Sequence, residues 1–200
     1  METIRVIELF AGIGSQASAL ERLGIPHERI AVSEIDDGAY RVYCALHGPT
    51  PNLGDITKIE HLPDCDLVTY SSPCQDISIA GNKKGLEEGS GTRSSLIWEV
   101  GRLLKDMRER DRPLPEVLLM ENVDSILHKH AVADFNKWVR LLDSLGYTNS
   151  YQVVNAKDHG IPQNRKRLFM ISTQTLGKYR FPEGRELKLC LKDMLESDVD

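Results

Sequence analysis

The sequence predicts an α/β domain, doubly wound around a mostly parallel sheet. Three observations carry this. Apolar strand-like stretches alternate with helix-period stretches from end to end, the pattern of a parallel sheet covered by helices on both faces. Glycines stop the helical stretches, as at Gly24 and Gly146. A glycine-rich turn joins the first strand to the first helix.

Taken in order, residues 4–9 read as a strand and residues 15–23 as a helix. A second strand over 30–35 leads into a helix over 37–46, ended by Gly48 and Pro49. Residues 66–71 form a strand. The stretch 94–110 is a long amphipathic helix with Leu96, Ile97, Val100, Leu103, Leu104 and Met107 on one face. A buried strand over 116–120, a helix over 132–145 and strands over 151–155 and 167–172 complete the alternation. The connection from Gln75 to Arg93 breaks the rhythm with Gly81, Gly85, Gly89 and Gly91. It follows a strand C-terminus, where open α/β sheets bind their ligands, so it reads as functional.

Composition bounds the rest. With 200 residues, 40% hydrophobic and 28% charged, the chain can bury a core and is not disordered. No apolar run approaches the roughly 18 residues of a membrane span, and the N-terminus lacks a basic n-region. The expectation is a cytoplasmic protein without membrane contact. Cys44, Cys65, Cys74 and Cys190 form no CxxC pair, which predicts reduced thiols and no metal. A net charge of −5 argues against a stand-alone nucleic-acid binder. Basic residues do cluster, however: Lys83, Lys84 and Arg93 in the Gly-rich connection, and Arg165, Lys166 and Arg167 in a compact run.

The first turn, Glu8-Leu9-Phe10-Ala11-Gly12-Ile13-Gly14-Ser15-Gln16-Ala17, has the glycine spacing of GxGxxA. Gly12 and Gly14 let a ligand approach the backbone near a helix N-terminus. Glu34 lies 20 residues beyond Gly14, where an acidic side chain can accept from both hydroxyls of a ribose. The turn fits NAD, FAD or S-adenosylmethionine, and a plain strand-to-helix turn explains it as well. Asp55 in Gly54-Asp55-Ile56 could meet an adenine amine or simply close an Asx turn.

Chemistry-bearing residues sit at three further strand ends or starts. Cys74, in Ser71-Ser72-Pro73-Cys74-Gln75, follows a proline that fixes the backbone and lies among polar residues on a loop. Such a thiol can be presented as a thiolate, whereas Cys44, Cys65 and Cys190 read as small buried hydrophobes. Glu121 follows the apolar run Val117-Leu118-Leu119-Met120, so its carboxylate is either paired or used on a ligand. Arg165 and Arg167 alternate onto one strand face.

Together and in order, ELFAGIGS (8–15), SEID (33–36), GDI (54–56), SPCQ (72–75), ENV (121–123) and QNRKR (163–167) resemble the motif blocks of C5 cytosine methyltransferases. The resemblance covers essentially the whole chain and implies a Rossmann-like S-adenosylmethionine-dependent methyltransferase fold. It implies that Phe10 stacks on the cofactor adenine, Glu34 binds the ribose and Asp55 the adenine amine, with Ile35 and Ile56 beside them. Ala11, Gly12, Ile13, Gly14 and Ser15 would hold the amino-acid portion. Pro73 would orient nucleophile and base, and the 75–93 connection would close over duplex DNA. Cys74 would attack C6 of a flipped cytosine, Glu121 would hold N3 and the exocyclic amine, and Arg167 the base oxygen. Arg165 would order the loop or a phosphate. The methyl group comes from S-adenosylmethionine, leaving S-adenosylhomocysteine.

After Ile171-Ser172 the family pattern continues into a target-recognition domain and returns with a small-residue motif and a helix beside the cofactor. Both are absent from residues 1–200, in which about 1–175 form the catalytic core and 176–200 a boundary segment. The expectation is therefore a catalytic domain that needs a second polypeptide carrying recognition and the missing motifs. The alternatives are a truncated form, a tRNA cytosine C5 methyltransferase, and a non-enzymatic subunit that keeps the fold. A dinucleotide oxidoreductase accounts for the glycine turn and Glu34 but leaves the Cys, Glu and Arg set without a role.

Overall fold

The computed structural model describes residues 2–73 and 93–196. Among these residues, six strands make one sheet: β1 (Ile4–Leu9), β2 (His27–Ser33), β3 (Leu67–Tyr70), β4 (Val117–Val123), β5 (Thr148–Asn155) and β6 (Lys166–Thr173). The order across the sheet is β2-β1-β3-β4-β6-β5. β1 runs parallel to β2 and β3, and β3 to β4, while β6 is antiparallel to both of its neighbours. This is the mostly parallel α/β sheet that the alternating pattern predicts. The chain leaves β1 towards β2 and returns to β3 on β1's other side. Residues 10–14 and 71–73 thus emerge together at a topological switch point, where α/β sheets take ligands.

Among the described residues, four α-helices flank the sheet: α1 (Ser15–Arg22), α2 (Asp37–His47), α3 (Ile97–Glu109) and α4 (Val132–Ser144). On one face, Leu103, Leu104, Phe135 and Trp138 of α3 and α4 join Ile7, Val68, Tyr70, Leu118, Met120, Leu168 and Met170 in the main core. The two helices approach closely at Gly101, where a Cβ would lie 2.7 Å from Leu141 Cδ2 and 3.1 Å from Trp138 Cζ3. On the other face, Ala17 of α1 and Tyr43 of α2 pack with Ala11 and Val32. Coverage of that face is incomplete. Along β4, Leu118, Met120 and Asn122 are buried, whereas Val117, Leu119, Glu121 and Val123 stay half-buried on the opposite side. Leu119 and Glu121 join Leu67, Thr69, Phe169 and Val154 around a cavity of about 710 Å³, walled on one side by Gln16, Ala19 and Leu20 of α1 and by Leu23 just after it.

Several boundaries differ from the sequence expectation, and those of the strands differ because of pairing. β2 covers 27–33 rather than 30–35, since its ladder with β1 runs from Ile4↔His27 to Leu9↔Ser33. Glu34 and Ile35 therefore leave the sheet. β4 continues past Met120 to Val123 because β6 pairs with it out to Val123↔Arg167, so Glu121 lies within a strand. β5 starts at Thr148 for the same reason, holding β6 over eight residue pairs. A 3₁₀ turn over Arg93–Leu96 precedes α3. The cysteines need a correction too. Cys65 is buried as expected, but Cys44 is only half-buried and Cys190 is exposed, because residues 177–190 run over the surface without regular structure. Among the described residues, no helix is long and apolar enough to cross a membrane.

Candidate active site

The turn after β1 is held in an unusual backbone shape. Phe10, Gly12 and Gly14 all have positive φ, at 57°, 55° and 86°. For Phe10, which has a Cβ, that conformation costs on the order of 1–3 kcal/mol, a strain that clusters at ligand sites. At Gly12 a Cβ would meet nothing within 4 Å, so the glycine leaves open space beside the backbone. The turn is tied to the end of β2. Gly12 N donates to Glu34 Oε2 at 2.8 Å, and Asp36 N donates to Glu34 Oε1 at 2.8 Å.

Asn52, not singled out from the sequence, completes the tie. Its Oδ1 accepts from Glu34 N at 3.1 Å and from Gly54 N at 2.9 Å, while its Nδ2 donates to the Glu34 carbonyl at 2.9 Å. The loop carrying Asp55 is thereby locked to the end of β2. Asp55 Oδ1 accepts from Thr57 N at 3.0 Å and from Thr57 Oγ1 at 2.8 Å. The backbone bond first, and the hydroxyl second, hold its carboxyl below the usual range. Asp55 therefore does close an Asx turn, and it also lines a ligand-sized cleft. That cleft, about 160 Å³, is formed by Phe10, Ser33, Glu34, Ile35, Gly54, Asp55, Ile56, Pro73 and Leu96. Six residues expected at a cofactor are thus brought together, and Leu96 from the turn before α3 adds an apolar wall.

Phe10 also borders the 710 Å³ cavity, which places the two hollows side by side. The larger one takes in Ala11, Gly12, Ile13 and Ser15 from the turn and Glu121, Arg165 and Arg167 from β4 and the start of β6. Arg167 pairs with β4 opposite Val123, two residues from Glu121, which sets the two side chains diagonally on one face. They meet: Arg167 Nε lies 3.0 Å from Glu121 Oε1, with both side chains about a quarter exposed. Arg165 precedes β6 and is exposed; its N–H donates to Asn155 Oδ1 at 3.0 Å. His159, also on this wall, was not anticipated.

Cys74 and residues 75–92 lie outside the described residues, as does the side chain of Arg93. The backbone leading to Cys74 is held from both sides. Gln16 Nε2 donates to Ser71 Oγ at 3.0 Å, and Asn122 Nδ2 donates to the Ser72 carbonyl and hydroxyl, each at 3.2 Å. Asn122 is 2% exposed and Ser72 4% exposed, so this bond is shielded from water. Among the described residues, no group of three or more His, Cys, Asp or Glu side chains could hold a metal ion.

Comparison with known proteins agrees in sequence and in fold. Type II methyltransferase M2.ScrFI of Lactococcus lactis subsp. cremoris is 36% identical over 252 residues, an alignment covering 98% of this chain and 68% of the relative. Orphan methyltransferase M.SssI of Spiroplasma monobiae is 47% identical over 151 residues, covering 74% of this chain and 38% of the relative. The chain thus spans between 38% and 68% of the length of these two relatives. The solved structure of the Entamoeba histolytica methyltransferase EhMeth superposes with a TM-score of 0.80 at 21% identity, over 100% of this chain and 62% of that one, a likeness of fold. The family profile of C-5 cytosine-specific DNA methylase matches residues 4–199, and the chain belongs to that family.

Proposed function

We propose that this chain is one catalytic and cofactor-binding domain of a DNA cytosine C5 methyltransferase, acting with a second polypeptide. The observation that carries the reading is the Glu121–Arg167 pair at 3.0 Å, set on the strand edge beside the cleft that Phe10, Glu34, Asp55 and Pro73 enclose. The cleft residues suit S-adenosylmethionine. Phe10 offers an aromatic face, Glu34 and Asp55 offer carboxylate acceptors, and Gly12 leaves room beside its backbone. Bound there, the cofactor supplies an electrophilic methyl group on its sulfonium.

The protein's own groups prepare the base. Pro73 and the Ser71–Ser72 anchors present Cys74, whose thiolate forms a bond to C6 of a flipped cytosine and pushes electron density towards C5. Arg167 occupies Glu121 Oε1, so Oε2 remains for N3 and the exocyclic amine, where the carboxyl group neutralises developing ring charge. Arg167 extends to the base oxygen. Arg165, exposed at the cavity mouth, orders the 75–93 connection or a phosphate. Once C5 carries the methyl group, loss of the C5 proton restores the ring and expels Cys74.

The second polypeptide rests on the half-covered sheet face. Leu67, Leu119, Val154 and Phe169 line a broad hollow beside Leu20 and Leu23, an apolar surface on which a partner segment can pack. A partner that lays an apolar segment there and brings basic surface would complete the fold and offset the net charge of −5 at the DNA. Methyl transfer from labelled cofactor to duplex DNA and to tRNA, by the chain alone and with the product of the adjacent reading frame, tests the reading. Transfer to duplex DNA only when both chains are present is expected. Robust sequence-specific transfer by this chain alone would sink the partner, and transfer to tRNA in preference to DNA would sink the substrate.

A further inference from the structure

The glycine turn is gripped from behind by a buried histidine. His47, the last residue of α2, has a side chain only 2% exposed. Its Nε2 lies 3.1 Å from the Ile13 carbonyl oxygen, and its Nδ1 lies 3.1 Å from both carboxylate oxygens of Glu21 in α1. A carbonyl can only accept a hydrogen bond, and so can an ionised carboxylate. The Ile13 carbonyl therefore takes its hydrogen bond from Nε2, and Nδ1 faces the Glu21 carboxylate.

Neighbouring groups fix the ring in place. Arg29 of β2 donates from Nη1 to Glu21 Oε1 at 3.0 Å and from Nη2 to the His47 carbonyl, so Glu21 is held against both side chains. His27, on the same strand, sits with Nε2 3.4 Å from Arg29 Nη1. The Tyr43 ring packs 4.9 Å from the His47 ring and donates its hydroxyl to Glu8 Oε1 of β1 at 2.5 Å. Burial raises the Glu8 carboxyl above its ordinary range. Gly14 fits directly against the imidazole: a Cβ there would stand 2.5 Å from both Cδ2 and Nε2 of His47.

We propose that His47 is a positioning residue, holding the Ile13 carbonyl so that the Gly12–Gly14 turn keeps the shape that receives the amino-acid portion of the cofactor. The inference rests on the turn being the S-adenosylmethionine site. The other ties of the turn act at its ends, Gly12 N to Glu34 and Gly14 N to the Ala11 carbonyl at 3.0 Å, whereas His47 holds the peptide between them. Without that donor the turn loosens, and binding must supply the ordering that His47 otherwise provides in advance.

Titration calorimetry of the full chain with S-adenosylhomocysteine tests this. His47→Ala should weaken affinity roughly tenfold, the loss of about one buried hydrogen bond. His47→Gln, whose amide N–H can still donate to the Ile13 carbonyl, should recover most of that loss. Nitrogen-15 NMR of wild-type His47 gives a readout independent of ligand and of any variant's folding: Nε2 should carry hydrogen. An Nε2 without hydrogen, or His47→Ala binding as tightly as wild type, would overturn the proposal. No binding by the wild-type chain, with hydrogen on Nε2, would instead remove the cofactor reading on which it stands.

Discussion

Glu121 shows what a single residue can and cannot disclose. Its type and its place after an apolar run mark it as a carboxylate that must be paired or used, and the structure pairs it with Arg167 at 3.0 Å. Glu121→Gln keeps the shape and removes the charge, so methyl transfer should drop by about 10²–10⁴-fold while circular dichroism stays unchanged. Retained turnover would assign Glu121 to the ion pair alone. The cysteines part in the same way. Burial pushes the Cys65 thiol up to about 12, so at neutral pH it carries almost no thiolate, the reactive form. Iodoacetamide at neutral pH should therefore modify exposed Cys190 and spare Cys65, as peptide mass mapping will show. Modification of Cys65 at the same rate would contradict its burial. Glu34 and Asp55 were legible because each acts at a short, fixed distance from a turn motif. Asn52, Gln16 and His47 were not, because their roles depend on partners 18, 55 and 34 positions away, brought close only by the fold.

At the level of elements, every helix and strand was readable from its period, and what shifted were ends set by pairing. The extension of β4 to Val123 is a property of β6, since the ladder partner of each added residue comes from the last strand. A local window cannot contain that information. Helix contacts are similar: the pattern of α3 gives its buried face, but only the packed structure shows that α4 leaves no room at Gly101. Gly101→Ala gains helix propensity of about 1 kcal/mol. Its Cβ would stand 2.7 Å from Leu141 Cδ2 and 3.1 Å from the fully buried Trp138 ring, which has no space to retreat, and overpacking in a tight core typically costs about 1–3 kcal/mol. Thermal denaturation should show a lowered Tm, and a raised Tm would mean that Leu141 yields freely.

On the scale of the whole molecule, one sheet face is packed by α3 and α4, and the other is left half-open beside the expected chemistry. The alternation of strand-like and helix-like stretches forecast helices on both faces, and α1 and α2 cover the second face only in part. Leu23 sits at the rim of that hollow and is 72% exposed, so Leu23→Asp should leave the Tm of the isolated chain unchanged. With the partner, the same change should weaken association at least about tenfold, the cost of burying a charge against apolar surface. Equal affinity in a pull-down titration would place the partner elsewhere. The central claim is that this domain holds the cysteine chemistry and borrows its target. Duplex DNA carrying 5-fluorocytosine tests it most directly, because fluorine at C5 blocks the final proton loss and traps the enzyme on the base. With S-adenosylmethionine and the partner chain, a covalent adduct should form that survives denaturing electrophoresis and vanishes in Cys74→Ser. No adduct under those conditions, or one that persists in Cys74→Ser, would contradict the account.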